Sequence, residues 1–209
     1  DIAYALHNKY PGLSEVDLQL IVNYLVYLII LAFSIPLFLS QIKTDFKVLN
    51  QKKYTYTLAT IGIGILVCYA GNIIGSVISS LFDSGSSENQ EAIENILLSG
   101  KGMLLAIVVV IVGPFVEEVV YRGCIQGGLK KLNIHPTISL IIASTIFGFI
   151  HVLEAGDYYQ VFAYVIMGFV LGAIYEREKN SYTSIFVHIL MNAISVSLIY
   201  FTSIMPISF

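Results

Sequence analysis

The stretch from Gly102 to Tyr121, GMLLAIVVVIVGPFVEEVVY, decides the fold of this chain. It is apolar enough to cross a bilayer as one helix, since about 20 residues span about 30 Å of hydrocarbon. The same stretch carries two adjacent carboxylates, Glu117 and Glu118. An ionisable side chain inside a membrane helix costs about 2.5–3.5 kcal/mol even on the lenient insertion scale, so each needs a partner or a function.

The composition places the whole chain in a membrane. Of its 209 residues 56% are hydrophobic and 12% are charged, with a mean hydropathy of +0.80. Soluble domains carry about 25% charged residues. The alternating strands of about 10 residues that are typical of an outer-membrane barrel are not seen. The sequence therefore predicts an all-α, polytopic transmembrane bundle in a single domain, residues 1–209. Its apolar segments, about six, are 18–40, 56–82, 102–121, 137–153, 159–176 and 182–204.

Charged residues between these segments predict the orientation in the membrane. The interval Gln41 to Tyr54 carries four lysines, whereas Asp83 to Gly100 carries four acidic residues and no basic one. By the positive-inside rule, the first interval is expected in the cytoplasm and the second outside. Basic residues after the third and fifth segments continue the alternation and place the turn near Asn133 in the cytoplasm. Ser84 to Asn89 predicts a flexible external loop before a short amphipathic piece.

The two neighbouring glutamates of the third segment face different ways on a helix. Glu118 and Arg122 stand four positions apart, so they share a face and are expected to form an intrahelical ion pair. Glu117 is turned about 100° away from Glu118. No lysine or arginine lies three or four positions from Glu117. Its partner must therefore come from another helix.

His151, at the end of the fourth segment, is the expected partner of Glu117. Alone, a histidine near a helix end is more often a satisfied polar or interfacial residue. Glu117 and His151, however, lie equally far before and after Ile134, at the predicted turn. If the third segment continues as a helix to Lys131, both lie about 25 Å from that turn. We therefore expect them to meet on adjacent antiparallel helices.

His188 and Asn192 stand four positions apart on the sixth segment and present two polar groups on one face. A polar contact between helices would explain them as well as a catalytic role. For His188 to reach the other pair, the hairpin of the third and fourth segments must project beyond the membrane on the cytoplasmic side. Pro114, one turn before Glu117, removes a backbone hydrogen bond. That loss either kinks the helix or opens a carbonyl beside the site.

Three motifs in this order resemble those of the CAAX-protease and bacteriocin-processing family of intramembrane peptidases, also called the Abi family. The resemblance covers about residues 102–200, the motif-bearing core, and Tyr121 stands where the family often has phenylalanine. Each motif alone is weakly specific, but three in order on membrane helices are strongly so. The motifs are Glu117-Glu118-x-x-x-Arg122, Phe147-x-x-x-His151 and His188-x-x-x-Asn192.

The resemblance implies a role for each of these polar residues. Glu117 with His151 would activate a water, and His188 with Asn192 would stabilise the oxyanion. The pair of Glu118 and Arg122 would hold the first motif in shape.

A zinc ion is the alternative that spacing does not exclude. Glu117, His151 and His188 would equally serve as three ligands with water as the fourth. No free carboxylate would then remain nearby as a base, because Glu118 is committed to Arg122. We therefore favour a mechanism without a cofactor, with zinc as the alternative.

The substrate does not follow from the motifs, because the same family includes proteins that resemble bacteriocin-immunity factors and peptide-pheromone partners. Residue usage rich in Ile, Lys, Asn and Tyr is typical of a low-GC bacterium, so we expect the bacterial cytoplasmic membrane and not a prenylated substrate. A hydrophobic peptide or membrane-protein segment is the expected partner, and no nucleic acid. The alternatives are a non-catalytic immunity or signalling scaffold and a transporter, for which intramembrane Glu and His are natural.

Overall fold

The computed structural model describes residues 10, 12–82, 87–153 and 156–204, and within these ranges the regular structure is helical throughout. Five of the helices there are long and apolar enough to cross a membrane, and a sixth is apolar but has only 17 residues. The predicted helical membrane bundle is therefore confirmed. The helices are α1 (Glu15–Asn50), α2 (Tyr54–Ser80), α3 (Glu88–Leu97), α4 (Gly102–Lys131), α5 (Pro136–Val152), α6 (Val161–Glu178) and α7 (Ser181–Ile204).

Helix α1 is longer than the first apolar segment, 18–40. It contains 36 residues and ends at Asn50, so most of the interval Gln41 to Tyr54 is helical. Gln and Lys are good helix formers, and a fall in hydropathy marks the edge of the hydrocarbon rather than the end of a helix. The lysines of this interval therefore lie on a helical extension.

Helix α3 is the short amphipathic piece that was predicted after the second segment. The Ser87 hydroxyl caps it by accepting a hydrogen bond from the Gln90 N–H at 3.4 Å, and Asp157 accepts one from the Glu88 N–H at 3.0 Å. Ile96 and Leu97 pack its buried side into a core shared with α1, α4 and α7. Residues 84–86 of the predicted loop lie outside the described residues.

Helix α4 carries the first motif and is not a regular α-helix. Val108–Val112 and Val119–Gln126 form π-helical turns, which occur frequently at functional sites. The Gly113 N–H bonds to the Val108 carbonyl, five residues back. The Gly113 N–H is therefore not available to the Val109 carbonyl, and Pro114, the next residue, has no N–H to donate. The Val109 carbonyl is left without a backbone donor. The α-helical turn between the two π turns carries both glutamates.

The junction of α6 and α7 is closed by a set of buried polar contacts, named here the closed cluster. Asp45 of α1 accepts hydrogen bonds from the Ser181 N–H at 2.9 Å and hydroxyl at 2.7 Å, so a side chain from another helix caps α7. Lys52 pairs at 2.6 Å with the fully buried Glu178. Asn180, also buried, accepts from the Thr183 N–H at 3.0 Å. Glu178 also accepts a hydrogen bond from the Thr60 hydroxyl of α2 at 3.4 Å, so these contacts join α1, α2, α6 and α7 at one end of the bundle.

Candidate active site

Glu118 and Arg122 form the ion pair that their spacing predicts. Arg122 Nε lies 3.0 Å from Glu118 Oε2 and Nη2 lies 3.4 Å from Oε1, and both side chains are fully buried. The guanidinium also lies over the ring of Phe147, 5.7 Å from its centre. Glu118 Oε1 lies 3.3 Å from His188 Nδ1. The ion pair of Glu118 and Arg122 therefore holds the Nδ1 edge of the His188 ring in place.

Glu117 faces two imidazoles from two other helices. Its Oε2 lies 4.0 Å from His151 Nε2 on α5 and 3.8 Å from His188 Nε2 on α7. The structure thus brings the three side chains together from α4, α5 and α7. Both distances exceed a hydrogen bond, and contacts of this length are often bridged by water.

The position of His151 is fixed on two sides. Its Nδ1 lies 2.7 Å from the Phe147 carbonyl oxygen, and its ring stacks on Tyr164 of α6 with centres 4.7 Å apart. A carbonyl only accepts, so Nδ1 carries the hydrogen and Nε2 of the neutral ring is an acceptor. Glu117 Oε2 is also an acceptor. Two acceptors 4.0 Å apart are suited to receive the two hydrogens of one water molecule.

His188 has the complementary arrangement. Its Nδ1 faces a carboxylate, so Nδ1 carries a hydrogen. To donate a second hydrogen bond from Nε2, the ring must be an imidazolium ion.

Asn192 is tied to the irregular part of α4. Its Nδ2 donates a hydrogen bond at 2.8 Å to the Val109 carbonyl, the group that the π turn and Pro114 leave free. Two effects were predicted for Pro114, a kink or an open carbonyl. The open carbonyl is present beside the site. An amide nitrogen carries two hydrogens, so one remains for another acceptor.

One cavity of about 770 Å³ contains Glu117, His151, His188 and Asn192 in its wall. It extends from the middle of the bundle toward α3, and every helix from α1 to α7 contributes to it. The wall also includes Tyr27 of α1, which sequence reasoning missed. Tyr27 lies in an unbroken apolar helix outside the three motifs, so no sequence signal distinguished it.

The same three side chains are those of the alternative zinc prediction. The residue types of Glu117, His151 and His188 would suit zinc. Within the ranges that the structure describes, no group of three or more His, Cys, Asp or Glu side chains has a geometry that could hold a metal ion.

Comparison with known proteins supports the assignment of the motifs to one family. The family model described as "Type II CAAX prenyl endopeptidase Rce1-like" matches residues 99–194, which include all three motifs. The family resemblance predicted from the motifs is confirmed over this region.

Two relatives extend the similarity beyond the motifs. The chain is 30% identical over 171 residues to an uncharacterized protein of Mycoplasma capricolum subsp. capricolum, covering 78% of this chain and 48% of that protein. It is 27% identical over 165 residues to the membrane-embedded CAAX protease MroQ of Staphylococcus aureus, covering 77% of this chain and 66% of that protein. The matches thus span between about half and two thirds of the length of these curated relatives. No solved structure matches the chain.

Proposed function

We propose that this chain, whose residues 99–194 match the Rce1-like CAAX-protease family, is an intramembrane endopeptidase. Its substrate is a hydrophobic peptide or a membrane-protein segment. The observation that carries the proposal is the convergence of Glu117, His151 and His188 on one cavity wall. The cavity volume of about 770 Å³ lies within the range of ligand sites, roughly 300–1,000 Å³.

The first step is activation of water. A water held between Glu117 Oε2 and His151 Nε2 gives one proton to Glu117, which acts as the general base. Its oxygen forms a bond to the scissile carbonyl carbon, and the carbonyl oxygen becomes negatively charged. The Phe147 carbonyl and the Tyr164 ring keep His151 in the orientation that this step requires.

The second step is stabilisation and collapse of the tetrahedral intermediate. The imidazolium of His188 and the second amide hydrogen of Asn192 donate hydrogen bonds to the oxyanion. When the carbon–nitrogen bond breaks, the protonated Glu117 returns its proton to the leaving amine. Arg122 and Glu118 do not touch the substrate but keep His188 in position.

The decisive test compares purified wild type with Glu117→Gln in a hydrolysis assay with hydrophobic fluorogenic peptides. We expect a loss of roughly 10²–10⁴-fold, the contribution of a general base, with unchanged membrane insertion. Glu176→Gln is the matched control, because this carboxylate pairs with Lys130 outside the cavity. Full activity of Glu117→Gln would overturn the assignment. A Glu117→Gln protein that keeps its cellular phenotype would instead favour the non-catalytic scaffold.

Metal analysis of the same active preparation separates the two catalytic types. For the glutamate mechanism, we expect activity to survive a strong chelator. One equivalent of zinc per chain, with activity lost to the chelator and restored by zinc, would make Glu117 a ligand instead of a base.

The oxyanion role has its own test, since Asn192→Asp replaces a donor by a carboxylate. That charge would repel the negative oxygen of the intermediate, so we expect severe loss of activity. Activity close to wild type would remove Asn192 from the oxyanion site.

A further inference from the structure

Helix α1 brings a hydroxyl group to the carboxylate of Glu117. The Tyr27 hydroxyl lies 3.1 Å, and Glu117 Oε1 3.5 Å, from the position that a Cβ on Gly113 would occupy. Tyr27 and Glu117 line the same cavity. Glu117 Oε2 is the oxygen that faces the two imidazoles. The two carboxylate oxygens therefore have different neighbours.

Gly113 is the residue that allows this approach. Its backbone angles, φ −56° and ψ −60°, are helical, so any residue could adopt them. Glycine inside a helix is destabilising relative to alanine. A Cβ here would stand only 3.1 Å from the Tyr27 hydroxyl, tighter than ordinary contacts. The missing side chain thus leaves room for the hydroxyl beside the carboxylate.

We propose that Tyr27 is a positioning residue, whose hydroxyl donates a hydrogen bond to Glu117 Oε1 and holds Oε2 toward His151 and His188. The inference rests on the proposed peptidase function. The terminal torsion of a glutamate is broad, so an unheld carboxylate would sample many orientations. A hydrogen bond to a charged carboxylate is roughly twice as strong as a neutral one, which makes Tyr27 an effective anchor. Residue 27 lies outside the region that the family model matches.

The kinetic test compares Tyr27→Phe with Tyr24→Phe. Tyr24 lies on the same helix and donates to the Leu104 carbonyl of α4 at 2.8 Å, so its variant removes an α1–α4 hydrogen bond without touching the carboxylate. We expect Tyr27→Phe to lower kcat by about 10–100-fold, the effect of one hydrogen bond to a charged group, with KM unchanged and Tm no lower than that of Tyr24→Phe. Tyr24→Phe should keep the wild-type kcat. Equal kcat values for wild type and Tyr27→Phe would overturn the proposal.

Infrared difference spectroscopy tests the contact without relying on activity. Subtracting the spectrum of Glu117→Gln from that of wild type isolates the Glu117 carboxyl band. Tyr27→Phe should shift this band, and Tyr24→Phe should not. An unshifted band overturns the positioning role even if the protein is an active peptidase. A shifted band in a protein that hydrolyses nothing would keep the contact and refute the proposed function.

Discussion

Carboxylates in the closed cluster and in the candidate site have opposite surroundings. In the closed cluster, Asp45 lies 2.7 and 2.9 Å from its donors on Ser181, and Glu178 lies 2.6 Å from Lys52. In the candidate site, Glu117 lies 3.8 and 4.0 Å from the imidazoles that face it. The difference is that the site leaves hydrogen-bonding capacity for a water and a substrate.

The same contrast exists between neighbours on α4. Glu118 is fully buried and is engaged by Arg122 and His188, whereas Glu117 borders the cavity. Glu118 therefore stabilises the site, and Glu117 is available for chemistry. If this division is correct, substitutions on the two sides should separate activity from stability.

His151→Ala should have the largest effect, a loss of activity of about 10²–10⁴-fold, because it removes one acceptor of the activated water. The melting temperature should stay close to wild type, because the ring is partly exposed to the cavity. Steady-state hydrolysis and thermal unfolding of the same preparation measure both quantities. His135→Ala, which removes the N-cap of α5 outside the cavity, is the matched control for activity. A variant with normal activity per folded molecule would return His151 to a structural role.

Arg122→Ala should mainly reduce stability, by about 3–5 kcal/mol, because it leaves the buried Glu118 without its counter-charge. Activity should fall as well, since Glu118 positions His188. Denaturant unfolding in detergent measures the first effect. Lys130→Ala breaks a partly exposed pair with Glu176 and should cost only about 0–1 kcal/mol. A stable but inactive Arg122→Ala would move Arg122 into the catalytic set.

Asp45→Ala should have the smallest effect, a loss of about 0.5–2 kcal/mol from the missing cap of α7. Hydrolysis per folded molecule should be unchanged, because Asp45 lies in the closed cluster. Thr44→Ala, which removes only an exposed bond to the Ser40 carbonyl, is the comparison for unfolding. Loss of activity without loss of stability in Asp45→Ala would mean that the closed cluster and the candidate site are coupled.

Sequence reasoning found the residues whose positions follow from helical spacing. Glu117 and His151 could be paired because α4 continues to Lys131 and the turn lies midway between them. The ion pair of Glu118 and Arg122 follows from their separation by four residues. The fourth apolar segment, 137–153, agrees with α5 to within one residue at each end.

Other features had no signal in the sequence. A π turn shifts the register of α4 within a run of valines, and only Pro114 indicated an irregularity there. The contact between Asn192 and Val109 depends on that shift. Tyr27 is one of many aromatic residues in apolar helices, and only the packing of α1 against α4 brings it to Glu117. The orientation in the membrane stays a prediction.

The closed cluster also has a mechanical consequence. It fastens α1, α2, α6 and α7 at one end, while the cavity occupies the other half of the bundle. Helix α7 has 24 residues and is therefore about 36 Å long. If α7 tilted as a rigid rod by about 5° about its fastened end, its free end would move by roughly 3 Å. The same tilt would move His188, seven residues from Ser181 at the fastened end, by only about 1 Å.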